Sequence, residues 1–92
     1  MLESAVERVF DRHVRDDLGG LSFKFAPLHK GNPDRIVLLD GRIHLVEIKA
    51  DGGSLSPAQE LWIRRAAEKG VHVYVVTGSA EARSWNPFTS AS

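Results

Sequence analysis

Residues 34–49 read Asp34-Arg35-Ile36-Val37-Leu38-Leu39-Asp40-Gly41-Arg42-Ile43-His44-Leu45-Val46-Glu47-Ile48-Lys49. Two β-rich runs flank Asp40-Gly41, a pair suited to a hairpin turn in which both central residues need positive φ. With a two-residue loop, Leu39 faces Arg42, and stepping outward along both strands sets Asp34 directly opposite Glu47. Directly opposed residues share a sheet face, with Cβ atoms roughly 4.5–5.5 Å apart. Alternation adds Lys49 to that face. The rest of the face is Ile36 and Leu38 opposite Leu45 and Ile43. Two carboxylates and a lysine thus end an apolar face, where like charges are costly unless something neutralises them. A divalent cation does so, because carboxylate oxygens are favoured ligands of Mg2+ and Mn2+. The plain alternative is a polar strand end, with Asp34 capping a turn and Glu47 paired to Lys49 or Arg35.

Outward from the hairpin, residues 2–17 carry Leu2, Val6, Val9, Phe10, His13 and Val14 at three- and four-residue steps, the pattern of an amphipathic helix. Gly19-Gly20 ends it. Residues 21–26 alternate as a strand, and residues 27–33 (Pro-Leu-His-Lys-Gly-Asn-Pro) form a loop. Ser56-Pro57-Ala58-Gln59 predicts a helix start with Ser56 as N-cap and Gln59 closing a capping box. That helix runs to about Lys69 and stops at Gly70. Residues 71–77 are nearly continuous apolar sequence, expected to be a strand buried on both faces. A short helix over 79–85 and a loose tail over 86–92 complete the chain.

The expectation is one α/β (α+β) domain over residues 1–92. A mixed sheet of about four strands, in the order α-β-β-β-α-β, is flanked by helices. The strand after the second helix should run parallel to its partner, as in a βαβ crossover.

Lys and Arg number 12, as do Asp and Glu, so the net charge of zero argues against a nonspecific nucleic-acid coat protein. It leaves room for an enzyme that meets nucleic acid on a local basic surface. Cysteine is absent, which removes disulfides and thiolate zinc sites. No apolar run approaches the roughly 18 residues of a membrane span, and no signal-peptide pattern opens the chain, so a cytoplasmic setting is expected. A chain this small gains stability by self-association. The apolar stripe of the first helix, Trp62 and Trp85 are the candidate contacts.

Gly31-Asn32-Pro33-Asp34-Arg35-Ile36-Val37 followed by Val46-Glu47-Ile48-Lys49-Ala50 resembles the PD-(D/E)xK nuclease signature. The set is most similar to the VRR-NUC (virus-type replication-repair nuclease) family. The likeness extends to a glutamate-bearing first helix, Gly19-Gly20, Lys24, Ser56-Pro57-x-Gln59 and Gly70, and so covers nearly the whole chain. It implies a restriction-endonuclease-like core and Mg2+- or Mn2+-dependent hydrolysis of DNA phosphodiester bonds. Asp34, Glu47 and the backbone carbonyl of Ile48 would hold the metal, and Lys49 would position the attacking water. A first-helix glutamate is also implied near the metal. Glu3 is preferred, because at about 100° per residue it lies beside Val6 and Phe10, with Glu7 nearer the edge of the stripe. Gln59 is implied in catalysis as well as in its cap.

Lys24, His29, Lys30 and Arg35 are candidate phosphate contacts, and Arg64-Arg65 could extend that basic surface. His13 reads as a packed histidine. His44 points away from the site face, and neither it nor His72 has metal-ligand spacing. Family members that stand alone are associated with phages and mobile elements and with branched DNA. The resemblance therefore implies a bacterial or phage-encoded homodimer resolving four-way (Holliday) junctions. Two alternatives remain: the same fold acting on flaps, single strands or duplex, and an inert nucleic-acid-binding module.

Overall fold

The computed structural model describes residues 1–88; the last part of the expected loose tail, residues 89–92, lies outside them. Helix α1 spans Glu3–Arg12 and continues as a π-helical turn, His13–Asp17, closed by the Leu18 amide donating to the His13 carbonyl at 3.2 Å. Strands β1 (Leu21–Lys24), β2 (Arg35–Leu39) and β3 (Arg42–Lys49) follow, then α2 (Pro57–Glu68), β4 (Val73–Thr77) and α3 (Gly78–Ser84). The sheet order is β1-β2-β3-β4. Its first two pairings are antiparallel and the β3–β4 pairing is parallel, as the crossover through α2 predicts.

The hairpin forms as the sequence implies. Leu39 pairs with Arg42 and Arg35 with Val46, and Asp40 and Gly41 adopt φ of 53° and 75°. Alternation then divides the sheet between two helical layers. Val37, Leu39, Val46, Ile48 and Val76 face Val6, Phe10 and Val14 of α1 together with Ala82 and Trp85, forming the buried core. Aromatic rings close its edge: Trp85 stands 5.2 Å from Phe10, 5.9 Å from His44 and 5.4 Å from Tyr74, centroid to centroid. His13 ties the π-helical turn to the end of α3, its Nε2 lying 2.7 Å from the Trp85 carbonyl and its Nδ1 2.7 Å from Asp17.

One expectation is overturned here and another holds only in part. Val6, Phe10 and Val14 of the α1 stripe, with Trp85, are covered within the chain's own core and are not free to meet a second copy; of the stripe, Leu2 stays exposed. Strand β4 is shorter than residues 71–77 and lies at the sheet edge. Val76 is buried on the core face and Val73 on the other, but Val75, on the same face as Val73, is exposed, so that second face is covered only in part.

The second face is sparsely covered. No residue of α2 is fully buried, and Leu21, Phe23, Leu38 and Ile43, which the register places on this face, remain exposed. What α2 does anchor is the loop before β2. Gly31, at φ 89°, lies so close to the first turn of α2 that a Cβ there would collide with the Ala58 carbonyl. That close approach brings the start of α2 beside the polar end of the hairpin. No helix among the described residues is long and apolar enough to cross a membrane.

Candidate active site

The site forms where the hairpin ladder runs out. One step beyond the Arg35–Val46 pair, the Asp34 carboxylate accepts a hydrogen bond from the Ile48 amide at 2.9 Å. The Asp34 carbonyl accepts from the Phe25 amide at 2.8 Å, so Asp34 is pinned from both neighbouring strands. Glu47 is 1% exposed, although it is a carboxylate on a sheet face. Its Oε2 accepts from Gln59 Nε2 at 2.9 Å and lies 3.7 Å from Lys49 Nζ. Burial, followed by a hydrogen bond and charge repulsion from Asp34, pushes the Glu47 carboxyl up to about 8; Lys49 offsets part of this, and Glu3 adds to it.

Gln59 closes the expected capping box and, beyond it, bonds a carboxylate of the site. Its backbone amide donates to Ser56 Oγ at 3.1 Å, and its side-chain oxygen accepts from the Ser56 amide at 2.8 Å, completing the capping box. The remaining side-chain N–H donors are free to reach Glu47, so a helix cap also orients the buried carboxylate. Asp34, Glu47, Lys49 and Gln59 are therefore brought together; of Ile48 it is the backbone amide that meets Asp34, whereas the expectation concerned its carbonyl.

The first-helix acids divide differently. Glu7 is committed to Arg35, Oε1 to Nη1 at 3.4 Å, and burial and then Asp34 push its carboxyl upward. Glu3 is exposed, makes no ion pair among the described residues, and is close enough to raise Glu47. No three His, Asp or Glu side chains among the described residues already converge as a metal cluster. The donor set still suits a divalent cation. Glu47 is a buried carboxylate that protein cations only partly compensate, with a second carboxylate, Asp34, against it.

Of the expected phosphate contacts, Arg35 is placed elsewhere. It is 8% exposed and bonded to Glu7 and Asp11, holding α1 to β2 on the face opposite Asp34. Removing it would leave two partly buried acids unpaired beside the core. Arg35→Ala should therefore lower unfolding stability by about 3 kcal/mol, read by denaturant titration; a loss confined to DNA affinity would contradict this placement. Lys24 shares the Arg35 side of the sheet by register and is exposed. His29 and Lys30 instead line a groove together with Arg65 of α2 and Lys69 at its C-terminal cap. Trp62 and Lys69 were not among the candidate site residues, though their helical spacing from Arg65 was a usable signal.

A sequence profile of the VRR-NUC domain matches residues 1–80. A solved VRR_NUC domain superposes with a TM-score of 0.69 at 27% identity, over 87% of this chain and 88% of that one. A solved VRR_NUC domain protein gives a TM-score of 0.70 at 19% identity, over 91% and 84% respectively, a likeness of fold alone. No curated protein matches the chain.

Proposed function

The chain belongs to the VRR-NUC domain family and has its nuclease-like fold, and from that premise we propose that it is a divalent-cation-dependent DNA endonuclease acting on branched DNA. The observation that carries this reading is the buried Glu47, held beside Asp34 and within reach of Lys49 at the open end of the hairpin.

Asp34, Glu47 and the Ile48 carbonyl would hold Mg2+ or Mn2+, with Glu3 closing the site from α1. Bound there, the cation supplies Lewis acidity toward a phosphate oxygen and a more acidic water. Asp34 and Glu47 are fixed before substrate arrives, Asp34 by the Ile48 amide and Glu47 by Gln59. The Lys49 ammonium donates toward the attacking water and toward the negative charge that builds on the phosphate. Water adds to phosphorus, the bond to the leaving oxygen breaks, and one proton passes from the water to the leaving group through solvent.

A homodimer is part of the same proposal, because two sites can nick two strands of one junction. We assign its contact to the open sheet face, where Leu21 is 62% and Ile43 69% exposed. An apolar cluster of this kind on a small chain marks an interaction site. Ile43→Asp should convert a dimer to a monomer in sedimentation velocity without unfolding it; a wild type that sediments as a monomer at tens of micromolar would refute the dimer.

The substrate claim is tested by incubating the chain, in Mg2+ or Mn2+, with a four-way junction, a flap, a duplex and a single strand of matched sequence. Preferential cutting of the junction is expected. Equal rates on the duplex would support the linear-substrate alternative, and no cutting anywhere would support the inert binding module.

A further inference from the structure

The groove beside the site has a chemistry that cleavage does not explain. It holds about 630 Å³ between α2 and the loop before β2. Leu61 and Trp62 supply an apolar wall, and His29, Lys30, Arg65 and Lys69 supply the polar groups; among the described residues no acidic side chain lines it. Trp62 is half-buried, whereas Arg65 and Lys69 are exposed and free to extend outward. The lining continues along α2 to Ala58, the neighbour of the Gln59 that holds Glu47. From Gln59 to Lys69 the helix rises about 15 Å, room for a few nucleotides leading away from the site.

A cationic groove that tracks a backbone, with an aromatic ring set into it, is how proteins hold single-stranded nucleic acid. Paired DNA offers phosphates to such a groove but no free base face to the indole. We propose that the groove holds an unpaired stretch of the DNA strand flanking the scissile phosphate, with a base stacked on Trp62 and phosphates met by Lys30, Arg65 and Lys69. The proposal rests on the nuclease reading, and a four-way junction, whose arms are paired, supplies the unpaired stretch only where base pairs open at its branch point.

The test measures equilibrium binding of labelled oligothymidine, and of a blunt hairpin duplex of equal length, to the full chain in chelator. Trp62→Ala should weaken oligothymidine binding roughly tenfold and leave the duplex nearly unchanged. Oligothymidine should quench the wild-type indole fluorescence, and Trp62→Phe should bind almost normally while losing that quenching. The other tryptophan, Trp85, is buried in the core. Arg65→Gln and Lys69→Gln should each reduce the salt slope by about 0.7.

Unchanged oligothymidine affinity in Trp62→Ala, an equal loss on the duplex, or no quenching in the wild type would overturn the proposal. So would a change in sedimentation of Trp62→Ala with DNA binding intact, which would assign the groove to a second copy of the chain. Cleavage by the wild type is scored separately. Cutting without a Trp62 effect removes the groove and keeps the nuclease, and a Trp62 effect without cutting does the reverse.

Discussion

Lys49→Ala is expected to slow DNA cleavage by about three orders of magnitude, within the range seen when a positioned proton-transfer or charge-stabilising group is removed. The side chain is mostly covered, and its ammonium sits 3.7 Å from Glu47 Oε2. It is therefore held against the site rather than swinging in solvent. Folding should survive the change, because Lys49 lies at the end of β3 and outside the hydrophobic core. DNA binding should weaken little. The measurement is a single-turnover rate on the preferred substrate, with circular dichroism as the check on folding. A rate within about threefold of wild type would remove Lys49 from the chemistry.

The second large effect concerns Glu47 and reads out without DNA. In the folded chain its carboxyl titrates near 8 against an ordinary value of 4.5. Between those values the folded state binds more protons than the unfolded state, so stability falls as pH rises through the window. The stabilising contribution is complete below about 4.5 and lost by the time pH passes about 8. Metal-free protein should therefore melt lower at high pH. Glu47→Gln removes the buried charge while keeping an oxygen for Gln59. It should raise the melting temperature above pH 8 by roughly 5–10 °C, corresponding to a gain on the order of 1–2 kcal/mol. The same variant should lose the stabilisation that Mg2+ or Mn2+ gives the wild type. A variant that melts with the wild type at every pH would show that the Glu47 charge is compensated in the folded chain.

The hairpin and its site were legible because they depend on local rules. Asp40-Gly41 admits the positive φ that a two-residue turn demands, and alternation carries the consequence outward to Asp34, Glu47 and Lys49. The capping box of α2 was equally readable. What failed depended on which surface covers which. The α1 stripe shows that something buries Val6, Phe10 and Val14, and periodicity alone does not say whether that is the chain's own sheet or a second copy. The burial of β4 was overestimated because a run of β-branched residues looks alike at the centre and at the edge of a sheet.

Arg35 was a missed inference rather than an illegible one. The alternation that places Asp34 on the site face places Arg35 on the other. Glu7 and Asp11, four residues apart on α1, form the acidic pair that receives it. The groove along α2 required the loop to be folded back by Gly31, a contact between segments that no local pattern announces.

The claim that Asp34 and Glu47 together hold a divalent cation is tested most directly by titrating Mn2+ into the metal-free chain above pH 8. Wild type, Asp34→Asn and Glu47→Gln would be followed side by side by calorimetry. Saturable binding by the wild type that is lost in both variants, each still folded, is the predicted result. Binding that either variant retains at wild-type affinity, or no saturable binding by the wild type, would contradict it.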